Sequence, residues 1–255
     1  MSAKHLLHRG VGLAPAWALL QVLLLGLGLM SLAWNLLALL LYPLLPRATG
    51  RRIGRAAIAR CYGLFWALTG SIGMLRIDAA ALDALANERG LIVVANHPSL
   101  LDALMLVSRL PRSACVMKAN LMCNPFLGPG ARLARYIRND SAKGMVRMAV
   151  SELRQGGQLV MFPEGTRTVQ PPVNPFRPGF ALIAKLAGST VQTVFIDTNS
   201  PYLGKGWPLW RLPPLPIEFS VRMGRRFEPC ADPCVLMQEV ENYFTAGVQT
   251  GGAQA

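Results

Sequence analysis

Two short segments of this 255-residue chain put ionisable side chains directly after apolar runs. Asn96-His97-Pro98-Ser99-Leu100-Leu101-Asp102 follows Leu91-Ile92-Val93-Val94, and Phe162-Pro163-Glu164-Gly165-Thr166-Arg167 closes Gln158-Leu159-Val160-Met161. Each places its chemistry where a buried strand should pass into a loop. Together they suggest a base for deprotonating an alcohol and a cation for holding a phosphate. Imidazole titrates near neutral pH, so His97 suits the first task. If the chain enters a helix after Pro98, the Asp102 carboxylate folds back to the other ring nitrogen, fixing the tautomer and stabilising the imidazolium. Arg167 offers a planar fork that matches phosphate oxygens, and Gly165 beside it lets the backbone approach a ligand.

The elements that must hold these residues follow from periodicity. Strands are expected at 74–78, 91–95, 113–117, 158–162, 191–196 and 216–223, and helices near 100–109, 141–155, 179–187 and 233–245. This alternation predicts an α/β sandwich around a mixed, largely parallel sheet flanked by helices. Two long loops interrupt it, one with Pro171, Pro172, Pro175 and Pro178, the other running from Tyr202 to Pro216 and rich in Trp and Pro.

Ahead of the sheet, no charged residue occurs from Gly10 to Pro46. As one straight helix this stretch would be about 50 Å long, beyond the roughly 30 Å hydrocarbon core. It is too long for a signal peptide and is expected to be retained. With Lys4 and Arg9 before it and Arg47, Arg51, Arg52, Arg55 and Arg60 after it, the expectation is a membrane-embedded helical hairpin turning near Trp34-Asn35. One strongly tilted span is the alternative. Residues 52–70 read either as a basic-apolar interfacial helix or as a core helix with a solvated arginine edge. The expected division is 1–72 for the membrane-embedded and interfacial helices and 73–255 for the catalytic domain.

The two blocks resemble the signatures of the PlsC family of glycerolipid acyltransferases. Lys118-Ala119-Asn120-Leu121 with Pro125 and Gly128, then Tyr136-Ile137-Arg138, add further matches in the family's order, and Phe176-Arg177-Pro178-Gly179-Phe180-Ala181 a looser one. The resemblance covers roughly residues 73 to 225. It implies a membrane-bound O-acyltransferase moving a fatty acyl group from acyl-carrier protein or acyl-CoA to the free hydroxyl of a lysophospholipid, most simply 1-acylglycerol 3-phosphate. In that reading His97 and Asp102 are catalytic, with the substrate hydroxyl as nucleophile and no covalent enzyme intermediate. Lys118, Arg138 and Arg167 surround the acceptor phosphate, with Gly165 and Thr166 in the same loop. Asn96 and the main-chain amides around Pro98-Ser99 and Gly165 are candidates for an oxyanion hole. Glu164 either contacts the glycerol hydroxyls or holds Arg167. Departures from the family pattern at Ile137, in the proline-free Val191-Gln192-Thr193-Val194-Phe195-Ile196, and in the proline-rich 168–178 loop bear on the acceptor. The alternatives are another lipid acceptor, such as a lyso-ornithine lipid or polyene glycolipid, or a non-catalytic lipid-binding membrane protein.

A net charge of +13 suits anionic membrane lipids, an acidic acyl carrier or phosphorylated substrates, and no nucleic-acid signature accompanies it. The expected location is the cytoplasmic membrane with the catalytic domain on its cytoplasmic face. Five cysteines without paired Cys-x-x-Cys spacing point to free thiols in a reducing compartment. Cys115 and Cys123 read as small apolar filler rather than nucleophiles. His5 and His8 lie in the N-terminal tail, so neither a second base nor a metal site is expected. No cofactor is expected beyond the acyl donor as co-substrate.

Overall fold

The computed structural model describes residues 12–251. Lys4, His5, His8 and Arg9 lie outside them.

Two long helices come first, α1 (Leu13–Leu44) and α2 (Arg47–Ile72). The turn expected at Trp34-Asn35 is absent. Asn35 stays helical because neighbouring backbone satisfies its buried amide: Nδ2 donates to Ser31 O at 2.8 Å and Phe126 O at 2.7 Å, and Oδ1 accepts from Gly130 N–H at 2.7 Å. Gly130 makes this close approach possible, since a Cβ there would lie 2.7 Å from Trp34 Nε1. The chain reverses instead at Leu45-Pro46, so the hairpin consists of α1 and α2. Along α2, Ile58, Tyr62 and Phe65 turn into the core while Arg52 and Arg60 face solvent. Arg55 is buried, and it pairs with Glu152 at 2.7 Å and donates to the carbonyls of Ala134 and Arg112. A charge this deep needs such partners, and truncating either side would leave the other uncompensated.

The sheet has seven strands in the order β1-β7-β6-β2-β5-β3-β4. They are β1 (Leu75–Asp78), β2 (Ile92–Ala95), β3 (Ser113–Lys118), β4 (Ile137–Asn139), β5 (Gln158–Met161), β6 (Val191–Thr198) and β7 (Ile217–Phe227). Only the β6–β7 pair is antiparallel. Every residue of β2 and β5 is buried, as expected of central parallel strands covered on both faces. One face is covered by α1, α2 and α3 (Asp102–Arg109), with Tyr62, Phe65, Met105 and Leu106 in its core. The other is covered by α5 (Ala142–Arg154), α6 (Gly179–Ala187) and α7 (Pro233–Gly251), around Phe176, Phe180 and Phe244. The short α4 (Gly128–Leu133) packs against α1. Because β2, β5, β3 and β4 run parallel, the loops after them gather at one carboxyl edge, where open α/β sheets bind ligands.

Candidate active site

β2 ends at Ala95 and the chain turns through Asn96, His97 and Pro98 into α3, whose first residue is Asp102. That geometry folds the carboxylate back: Asp102 Oδ2 lies 2.9 Å from His97 Nδ1 and accepts from Ser99 N–H at 2.7 Å. The Asp102 side chain is fully buried, whereas the His97 ring is 17% exposed. Burial raises the Asp102 pKa to about 6, against the lowering effects of His97 and the Ser99 amide. With Nδ1 engaged by Asp102, Nε2 is the ring nitrogen left to take a proton. Phe162 stacks on the imidazole with ring centroids 4.1 Å apart and planes 21° from parallel, fixing the ring from the β5 side.

The loop after β5 is zipped to the His97 backbone. Glu164 is 2% exposed, and its hydrogen bonds go to His97, Thr168 and Asn174 rather than to Arg167. Its Oε1 accepts from His97 N–H at 2.9 Å, its Oε2 accepts from Asn174 N–H at 2.8 Å, and Thr168 Oγ1 donates within 2.9 Å of both oxygens. Thr168 N–H in turn donates to His97 O at 2.8 Å. Gly165 holds the turn open with φ +69°, a left-handed conformation that disfavours any side chain. Asn174 Oδ1 accepts from Val169 and Gln170 N–H, so the proline-rich loop is pinned from within.

Arg167 Nη1 donates to Leu203 O at 2.8 Å and Gly204 O at 3.0 Å, tying the β5 loop to the segment before β7. Thr166 is half-buried beside it. The three oxyanion-hole candidates each have a protein acceptor: Asn96 Nδ2 donates to Ile196 O, Ser99 N–H to Asp102, and Gly165 N–H to Phe162 O. Lys118 and Arg138 stand on the same carboxyl edge but on β3 and β4, and both are exposed. At about 4.8 Å per strand, Lys118 is some 10 Å from the β2 edge and Arg138 farther. Arg138 forms an ion pair with Asp140. Cys115 lies in the core, where burial pushes its thiol up to about 12, and Cys123 is exposed. An open groove of about 1350 Å³ borders the site at Asn96, Pro98 and Thr168 and continues past Lys205 and Trp207.

Sequence reasoning did not find Thr168, Asn174 or the stacking role of Phe162. Only Phe162 carried a signal, as the aromatic at the end of β5 opposite His97. The other two are polar residues in a loop whose path periodicity does not reveal.

The arrangement is a buried carboxylate orienting an accessible imidazole, suited to taking a proton from a bound hydroxyl. The chain has the fold of the crystal structure of the 1-acyl-sn-glycerophosphate (LPA) acyltransferase PlsC from Thermotoga maritima, with a TM-score of 0.70 and 21% identity, covering 93% of this chain and 97% of that one. It is 24% identical over 184 residues to a 1-acyl-sn-glycerol-3-phosphate acyltransferase of Pseudomonas aeruginosa, covering 69% of this chain and 70% of that protein. It is 27% identical over 161 residues to a 1-acyl-sn-glycerol-3-phosphate acyltransferase of Cocos nucifera, covering 60% of this chain. The matches span about half the length of the coconut protein, 50%, and of a Caenorhabditis elegans relative, 51%. Residues 76–197, a segment that holds both His97 and Arg167, match the model of the family described as Acyltransferase.

Proposed function

We propose that this protein is a membrane-bound O-acyltransferase that moves a fatty acyl group from a thioester carrier, acyl-carrier protein or acyl-CoA, to the free hydroxyl of 1-acylglycerol 3-phosphate. The observation that carries this reading is the 2.9 Å contact between His97 Nδ1 and the fully buried Asp102 carboxylate. His97 Nε2 takes the hydroxyl proton as the alkoxide oxygen attacks the thioester carbonyl carbon. The tetrahedral oxyanion then collapses, the carbon–sulfur bond breaks, and the imidazolium returns the proton to the departing thiolate. Asp102 keeps Nδ1 protonated and compensates the charge formed on the ring. Lys118, Arg138 and Arg167 supply the positive charge on the acceptor side, and the similarity to proteins named as acting on 1-acylglycerol 3-phosphate supports a phosphate-bearing acceptor. A radiolabelled transfer assay with both donors and a panel of lyso-lipids tests this. Label is expected on 1-acylglycerol 3-phosphate. Acylation of an unphosphorylated lyso-lipid, with every lysophospholipid left unlabelled, would refute the acceptor.

Membrane attachment is assigned to α1, the one helix among the described residues long and apolar enough to cross a bilayer. It touches the domain at Trp17, bonded to Trp210 O, and again at Tyr42, bonded to Arg135. Those contacts lie some 37 Å apart along the helix, more than a hydrocarbon core of about 30 Å. This supports α1 lying along the cytoplasmic leaflet, with the stripe Val22, Leu25, Leu29, Leu36 and Leu40 in lipid.

Two further outcomes follow from the dyad and its support. The catalytic form needs an ionised Asp102 beside a neutral imidazole, and burial sets the carboxyl pKa at about 6. Its folded pKa being raised, protonation is favoured on descending through that value, so kcat/KM will fall as pH drops through about 6. The apparent constant belongs to the pair. A pH–rate profile flat down to pH 4.5 would contradict the assignment. Glu164→Gln must turn its amide NH₂ toward either His97 N–H or Asn174 N–H, leaving buried donors face to face. An unsatisfied buried group costs about 1–3 kcal/mol, which predicts a Tm lower by roughly 2–10 °C. We also expect a lower kcat at little-changed donor KM. Unchanged Tm and kcat would show that the Glu164 bonds do not hold the His97 turn.

A further inference from the structure

The segment Tyr202–Pro216 has an apolar tip in the open: Leu209 is 54% exposed and Trp210 72%. Lys205 and Arg211 flank it, and the Arg211 guanidinium lies 4.7 Å over the Trp207 ring. Exposed Trp beside cations is the composition that settles at a headgroup boundary, where an amphipathic ring meets both acyl chain and water.

The tip is fastened to the helix assigned to the membrane. Trp17 Nε1 donates to Trp210 O at 2.6 Å and Gln21 Nε2 to Leu209 O at 3.3 Å, next to Leu13, which is 77% exposed. Tip and α1 therefore form one apolar surface. The base of the loop reaches the other way, into the catalytic turn. Leu203 O accepts from Leu100 N–H at 3.0 Å and from Arg167, Tyr202 O accepts from Ser99 Oγ at 3.0 Å, and Gly204 O accepts from Arg167. Ser99 and Leu100 lie between His97 and Asp102.

We propose that the 202–216 loop is a second lipid-docking element: Leu209 and Trp210 enter the headgroup boundary of an anionic bilayer beside the N-terminal half of α1, and the loop base ties that docking to the turn carrying His97 and to Arg167. The proposal rests on the membrane placement of α1 given above. It makes the loop the part of the catalytic domain that meets lipid, at the end of the groove past Lys205 and Trp207.

The test uses the full chain reconstituted in vesicles of phosphatidylethanolamine and phosphatidylglycerol. Cys61, Cys123, Cys230 and Cys234 are replaced by Ser, and the buried Cys115 is left. An environment-sensitive fluorophore is placed on Trp210→Cys, on Leu36→Cys in the exposed α1 stripe, and on Lys143→Cys on α5 as the water-facing reference. Nitroxide-labelled lipids are expected to quench the 210 site at least twofold, as at position 36, with no quenching at 143. Quenching at 36 with none at 210 would overturn the loop proposal and leave the placement of α1 standing. Quenching at neither would overturn both. Emission at 210 that is already blue-shifted in detergent and unmoved by nitroxide lipids would also overturn the proposal, because protein rather than lipid would then cover the tip.

Discussion

Replacing His97 with Ala is expected to lower acyl transfer by about 10²–10⁴-fold, the usual worth of a general base. The structure makes this substitution unusually clean. The two bonds that zip the turn to the β5 loop use the backbone of His97: its N–H donates to Glu164 and its C=O accepts from Thr168. Alanine keeps both. The deleted ring is partly exposed and its principal packing partner is Phe162, so little core is lost. Expression, Tm and membrane association should therefore match those of the parent while the rate collapses. Retention of more than about half the activity would exclude His97 as the base. A collapse accompanied by a large fall in Tm would instead point to a structural part.

How much of this was legible in the sequence depends on how far apart the interacting residues lie. β2 and β5 announce themselves because central parallel strands are apolar on both faces, and the polar residues that end them, His97 and Glu164, mark the sheet's carboxyl edge. The His97–Asp102 contact is local and follows from a turn into a helix. β4 escaped notice because it is three residues long with only Ile137 buried, too short for any period to show. The helix through Asn35 was hidden for a different reason. Its amide is satisfied by Phe126 and Gly130, some ninety residues away, so an apparent break in an apolar run proved to be a tertiary contact. Glu164 is the same case at the site. Its neighbour Arg167 suggested an ion pair, but its partners are His97, Thr168 and Asn174, which come together only once β2 and β5 are adjacent. Asn96 likewise spends its amide on Ile196 across the β2–β6 pairing.

Asp102→Asn separates orientation from charge. Oδ2 already accepts from Ser99 N–H as well as from His97, whereas Oδ1 is buried without a hydrogen-bond partner. The asparagine oxygen should take the Oδ2 position and its NH₂ the Oδ1 position, so the ring stays aligned and Nδ1 keeps its proton. What disappears is the negative charge beside the imidazolium. A charge-assisted hydrogen bond is worth about 1.5–3 kcal/mol, so kcat should fall about ten- to a hundredfold, less than for His97→Ala. The fall in rate near pH 6 should be lost from the pH–rate profile, because the carboxyl that sets it is gone. Asp102→Ala, which also removes the acceptor for Ser99 N–H, should cost more than Asn. If Asn keeps most of the parental activity while Ala does not, orientation rather than charge is what Asp102 contributes.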